Sequence, residues 1–279
     1  DSLTLALLNQ SLPMEEGKAA RDYINRKGDR FSAADNLVID VLYGQPSFRR
    51  WVENENGTKG RSDSAKLDDV VARGAWIGLH PSTLQGPWSH FSDLVTRLNL
   101  PPGSTIADMG TAYGRFGFVV GQQFPKLNFV GYEYLEHRVA PSQAAASELG
   151  FSNVRFVQAD FSAPTFKPVQ ADVFFTYWSS GQQGVMEGLF DRLLDVAVQK
   201  PWIRIVTREF NPQRAMRGES WLVAEGESFR PGDRGEPYTV FKVDPAGLER
   251  AVARLQERKA EAMRVREASE KEGPKELLK

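Results

Sequence analysis

The sequence predicts an α/β fold: a seven-stranded, mostly parallel sheet with an antiparallel last strand, preceded by a helical extension. Three observations predict it. Short apolar runs alternate with helix-period segments between residues 88 and 207, with short connections. The first of those runs ends in an acid and a glycine-bearing turn, Thr105-Ile106-Ala107-Asp108-Met109-Gly110-Thr111-Ala112-Tyr113-Gly114-Arg115-Phe116-Gly117. The final two strands, 220–224 and 238–243, have no helix between them.

In chain order, residues 1–75 read as short helices separated by polar loops, with a loop or insertion at 53–64 (ENENGTKGRSDS). The expected organisation is a helical extension over 1–79, an α/β domain over 80–245 and a charged C-terminal helix over 246–279. Residues 88–98 carry Phe91, Leu94, Val95 and Leu98 at helical spacing, and Pro101-Pro102-Gly103 ends that segment. Strands are expected at 106–108, 128–132, 154–158, 172–177 and 203–207, and helices between them at 116–124, 142–149 and 183–198. Such alternation implies a parallel sheet covered on both faces. Arg230-Pro231-Gly232-Asp233-Arg234-Gly235 joins the last two strands as a hairpin. Asp244 is an N-cap with Pro245 at the first helical position, and Leu248, Val252 and Leu255 line one face of the helix that follows. The alternating charge beyond Gln256 reads as a solvated helix that frays.

Composition bounds the function. A chain of 279 residues, 41% hydrophobic and 25% charged, suits one large α/β domain or a catalytic domain with an appendage. A net charge of -1 gives no global attraction for nucleic acid or an anionic membrane. No run approaches the roughly 18 apolar residues that span a bilayer. Residues 4–8 are too short, and lack the basic flank, for a secretory signal. With no cysteine there is no disulfide, thiolate nucleophile or cysteine-ligated metal, which fits a cytoplasmic location. No His and carboxylate spacing suggests a metal site, so His80, His90 and His137 read as structural.

Ligands of open α/β sheets sit outside the carboxyl ends of the strands, so the residues there carry most weight. Asp108 and Gly110 end the first strand. Glycine lets the backbone pass close to a ligand, and the helix start beyond Gly114 is expected to offer unpaired N–H donors. Glu133 ends the second strand, where a carboxylate can accept both hydroxyls of a ribose, as an acid about 20 residues past a glycine turn does in dinucleotide sites. Asp160 and Phe161 follow the third strand, where an acid can accept from an adenine amine and an aromatic can line the ring's pocket. Tyr177-Trp178-Ser179-Ser180-Gly181 follow the fourth, at the mouth of the cleft.

This order resembles the class I S-adenosylmethionine-dependent methyltransferases over roughly residues 88–243. Asp108-x-Gly110-x-Ala112-x-Gly114 matches the family's acid-and-glycine motif, except that Ala112 stands where a middle glycine is usual. Glu133 matches the ribose-binding acid, Asp160 the adenine-contacting acid, Asp172 the acid that opens the fourth strand, and the final strand pair the reversed seventh strand. The resemblance implies a Rossmann-like domain with S-adenosyl-L-methionine as cofactor. Asp108, Gly110, Thr111, Ala112, Tyr113 and Gly114 would hold its methionine moiety, Glu133 its ribose, and Asp160 with Phe161 its adenine. Tyr177 and Trp178 would flank the methyl group or the acceptor. The segment before the first strand often folds over the cofactor, which makes Thr83, Gln85, Trp88 and His90 further candidates.

The activity so implied is in-line methyl transfer to a protein side chain or a small molecule, driven by proximity and orientation, with a base optional. The fourth strand is not followed by Asn/Asp-Pro-Pro-Tyr, which points away from planar amide or base nitrogens, and the charge balance points away from nucleic acid. The alternative is a non-catalytic module of the same fold that binds cofactor or partner. A nicotinamide-dependent reductase is the other rival: Gly110-x-x-x-Gly114 and Tyr238-x-x-x-Lys242 have the spacing of short-chain dehydrogenases. That pair needs a helix, however, and here it falls in an expected strand.

Overall fold

A computed structural model describes residues 84–177, 179–208, 211–216, 220–230 and 237–272. The expected extension over 1–79, together with His80, Thr83 and Trp178, lies outside them. The elements are α1 (Trp88–Leu98), β1 (Thr105–Met109), α2 (Arg115–Gln123), β2 (Asn128–Glu133), α3 (Glu136–Glu148), β3 (Val154–Gln158), β4 (Val173–Thr176), α4 (Gln183–Gln199), β5 (Arg204–Arg208), β6 (Leu222–Ala224), β7 (Tyr238–Val243) and α5 (Pro245–Glu272). A single 3-10 turn, Pro212–Arg214, follows β5.

The seven strands form one sheet in the order β3-β2-β1-β4-β5-β7-β6. Strands β3, β2, β1, β4 and β5 pair in parallel, while β7 runs antiparallel to both β5 and β6. The mostly parallel sheet with a reversed last strand is therefore the fold the chain adopts. Tyr238 and Lys242 lie in β7, so the helical pair that a reductase would need does not exist.

Side-chain alternation along the strands feeds two cores. Ile106 and Phe129 face α1, α2 and α3, whereas Ala107, Met109, Val130 and Tyr132 face α4 and α5. The first layer is rich in phenylalanine: Phe91 stacks on Phe116 at 4.6 Å, and Phe116 meets Phe129 edge-on at 5.4 Å. This packing leaves no room at Gly117, where an added Cβ would lie 2.6 Å from Phe156 Cζ and 2.8 Å from Phe129 Cε1. Gly117→Ala is expected to cost about 2 kcal/mol through overpacking, despite the better helix propensity of alanine. The readout is a lower urea midpoint at unchanged slope. An unchanged midpoint would mean that the two rings move aside freely.

One helix differs from expectation. Helix α3 starts at Glu136 rather than 142 and carries Pro141 inside it. Proline removes one intrahelical donor and crowds the preceding turn, so Pro141 reads locally as a break. The first turn is nonetheless set from outside the helix, because Glu133 Oε1 accepts the N–H groups of Tyr134 (2.9 Å) and Leu135 (3.1 Å). The Ser142 hydroxyl then lies 2.8 Å from the Arg138 carbonyl and 3.0 Å from that of Tyr113. The C-terminal helix runs from Pro245 to Glu272, within the stretch expected to be helical. Its start is as expected, with Asp244 Oδ2 accepting the Gly247 N–H at 2.9 Å. Leu248, Val252 and Leu255 join the second core, and Arg258 pairs with Asp191 of α4 at 2.8 Å. Among the described residues no helix is long and apolar enough to cross a membrane.

Candidate functional site

The strand order reverses direction between β1 and β4, and the turn after β1 sits at that crevice. Gly110 has φ +98° and Gly114, the N-cap of α2, has φ +83°. A Cβ on Gly110 would lie 2.9 Å from Ser179 Cβ, so the loop after β4 closes directly on this turn. The Ser179 hydroxyl ties the two together through the Met109 carbonyl and the Thr176 hydroxyl. Ala112 has φ +50°, the left-handed conformation for which glycine is usual. An L-residue pays about 1–2 kcal/mol there, and the Ala112 N–H is held by Glu133 Oε2 at 3.0 Å.

The backbone donors of the turn that leads into this helix are engaged. Gly110 and Thr111 both donate to the Tyr132 carbonyl (2.9 and 2.8 Å), and Gly114 donates to the Thr111 carbonyl (2.9 Å). Ala112 donates to Glu133, and Arg115 donates to Gln85 Oε1 at 3.0 Å. Five backbone donors that could cradle a phosphate are thus already engaged. The reason is tertiary: Gln85, from the segment before α1, reaches over and caps α2.

Glu133 is buried and braces two elements at once. Oε2 takes the glycine turn through Ala112, and Oε1 takes the start of α3 through Tyr134 and Leu135. Arg138, itself buried, places Nη1 3.9 Å from Oε1. A carboxylate has about four acceptor positions. Three are used, which leaves one on Oε2 rather than enough for two hydroxyls.

Asp108 is 4% exposed at the end of β1. Burial pushes its carboxyl up to about 7, against the Thr111 hydroxyl, which pulls it down, while the charge of Glu133 raises it further. A small pocket opens beside it, lined among others by Gln85, Gly86, Thr111, Arg115, Tyr177 and Arg208. Arg208 ends β5, with its guanidinium carbon 4.7 Å from the Tyr177 ring centroid and 5.8 Å from that of Tyr238. Burial raises the Tyr238 hydroxyl to about 12, with Arg208 opposing. Burial, and then the charge of Arg208, hold His90 below its ordinary range.

The remaining expected residues separate by place. Tyr177 lines the pocket, as does Gln85. Asp160 Oδ1 accepts from the Ser162 N–H (2.8 Å) and hydroxyl (2.6 Å), an Asx-turn at the end of β3. Phe161 is buried in the second core against Phe166, at 5.1 Å. Asp172 stands at the opposite end of the sheet, where it accepts the Thr105 N–H and pairs with Lys200 at 2.6 Å, a structural clamp. Trp88 belongs to the first core. No group of His, Asp and Glu suited to a metal occurs among the described residues. Arg115, Arg208 and Tyr238 were not anticipated as site residues, although Thr207-Arg208 closes a strand as plainly as Asp108 and Glu133 do.

Residues 100–216 match a family model described as a methyltransferase domain. No curated protein matches the sequence. Among solved structures the chain is similar to TrmN from Thermus thermophilus, with 18% identity, 55% of this chain and 48% of that one covered, and a TM-score of 0.44. It is similar to precorrin-6y C5,15-methyltransferase from Geobacter metallireducens, with 12% identity, 60% and 92% coverage and a TM-score of 0.44. A third likeness is to the M1A22 tRNA methyltransferase TrmK of B. subtilis, with 13% identity, 58% and 68% coverage and a TM-score of 0.42. The match thus spans about half the length of TrmN.

Proposed function

We propose that this chain, whose residues 100–216 match a methyltransferase-domain model, is a class I S-adenosylmethionine-dependent methyltransferase that moves the cofactor's methyl group to a small-molecule or protein acceptor by in-line transfer. The observation that carries this reading is the engaged turn. A dinucleotide site presents free backbone N–H groups to a pyrophosphate. Here Gly110, Thr111, Ala112, Gly114 and Arg115 have given theirs to Tyr132, Glu133, Thr111 and Gln85. A turn so engaged suits a nucleoside cofactor without phosphate.

The residues fit such a cofactor in strand order. Asp108 and the Gly110–Gly114 turn take its methionine end, Glu133 one ribose hydroxyl on the free position of Oε2, and Asp160 the adenine amine, with Phe161 as the apolar floor. Tyr177 and, from its place in the sequence, Trp178 are the residues assigned to flank the acceptor. When bound, S-adenosylmethionine supplies a methyl group on a sulfonium that leaves as a neutral thioether. The chain's own part is to align the acceptor behind that methyl and to exclude water. Gln85 and the Ser179 loop, both closed over the turn, serve the second task. A cysteine-free chain suits work in the cytoplasm.

The test is calorimetry with S-adenosylhomocysteine and NADH, followed by transfer from labelled cofactor into the protein and small-molecule fractions of a lysate. Binding of S-adenosylhomocysteine alone, with label transferred, is the expected result. Gly110→Arg should abolish both, since any Cβ there meets Ser179 and φ is +98°. Equal binding of NADH would overturn the cofactor, and binding without transfer in any fraction would leave a non-catalytic module.

A further inference from the structure

Arg208 is the half-buried cation of this pocket, and it makes no ion pair among the described residues. Its Nε is buried without a hydrogen bond. The rings of Tyr177 and Tyr238 take up the apolar surface of the guanidinium, and the one oxygen they bring against it, the Tyr238 hydroxyl, carries no charge to neutralise it. A guanidinium withdrawn from water is stable when a carboxylate or phosphate meets its fork. His90 lies nearby, with its Nδ1 also buried without a partner among the described residues. Gly86 packs closely against the Arg208 guanidinium: a Cβ there would lie 3.4 Å from Arg208 Nη1 and 3.2 Å from the Tyr238 hydroxyl, so only glycine fits beside it. The Gln85 amide nitrogen, buried and without a partner, lines the same pocket.

Position says which molecule meets this cation. If the cofactor runs from β3 through β2 to β1, as in the function proposed above, then β4 and β5 lie beyond its methyl end. At about 4.8 Å per strand, the end of β5 is about 10 Å past the glycine turn. We propose that Arg208 receives a carboxylate, with the amide of Gln85 as a second donor. The carboxylate is that of an acidic methyl acceptor, because the amino-acid end of the cofactor is assigned above to Asp108 and the Gly110–Gly114 turn.

The test compares wild type, Arg208→Gln and Arg208→Lys, with circular dichroism to confirm that each is folded. S-adenosylhomocysteine and methylthioadenosine, the same thioether without its amino-acid end, are titrated first. Benzoate and acetate are then titrated against benzamide and acetamide, on both free and S-adenosylhomocysteine-loaded protein. For an acidic acceptor, loaded wild type prefers the acids by at least about tenfold, the preference vanishes in Arg208→Gln and survives in part in Arg208→Lys, and cofactor binding is unchanged. If Arg208→Gln weakens S-adenosylhomocysteine by at least about tenfold and leaves methylthioadenosine alone, Arg208 meets the cofactor's own carboxylate and the inference is overturned. It is overturned too if the protein holds the amides as well as the acids, or if Arg208→Gln leaves the preference unchanged. Failure of wild type to bind either thioether counts against the proposed function instead, and the acid-against-amide comparison on free protein still decides Arg208.

Discussion

Glu133→Ala is expected to remove about 3–5 kcal/mol of unfolding free energy, far more than a surface carboxylate contributes. The substitution strands three backbone donors, those of Ala112, Tyr134 and Leu135, and leaves the buried Arg138 without its nearest carboxylate. It also releases Ala112, whose left-handed φ of +50° is held by that hydrogen bond. The check is urea denaturation of Glu133→Ala beside Glu133→Gln. Glutamine keeps one oxygen for Tyr134 and Leu135 but turns a donor toward the Ala112 N–H, so it should lie between the two. Stability equal to wild type in both would show that the turn does not depend on this carboxylate. The result also decides how binding is read: loss of S-adenosylhomocysteine affinity in the alanine variant reports a collapsed turn, and Glu133→Gln is the cleaner probe of the ribose contact.

Asp108 should make stability fall as pH rises. Its carboxyl titrates near 7 in the fold against 3.8 ordinarily, so the folded state binds more protons than the unfolded state between those values. Stability then decreases from about pH 4 to about pH 7 and is flat above, because only the unfolded chain ionises without a desolvation cost in that window. Between pH 5 and pH 8 the contribution amounts to about 2–3 kcal/mol. Asp108→Asn abolishes it, so the variant should gain that much on wild type between the two pH values. Thermal melts of both proteins at pH 5 and pH 8 check this, and a variant-to-wild-type difference that is the same at both would place the Asp108 titration at its ordinary value.

The fold and the main axis of the site were legible because they rest on local rules. Alternation of apolar residues gave the five parallel strands to within one or two residues, and the absent helix between 224 and 238 gave the reversed strand. Asp108, Gly110 and Glu133 stand at strand ends, where any ligand of such a sheet must sit, and Gly114 opens the helix that follows the first. Pro141 misled, because its cost is local whereas the start of α3 is set by a carboxylate that the preceding strand delivers.

By itself, then, the sequence determined the order of strands and helices and the chemistry waiting at the strand ends, since period and turn residues depend only on near neighbours. The tertiary structure alone decided who meets whom. It brought Gln85 onto Arg115 across 30 positions of chain, spent the turn's donors, turned Glu133 into a brace, and set Arg208 between Tyr177 and Tyr238. The physical reason is that a hydrogen bond or a buried charge needs its partner in space, and strand order rather than spacing along the chain places that partner.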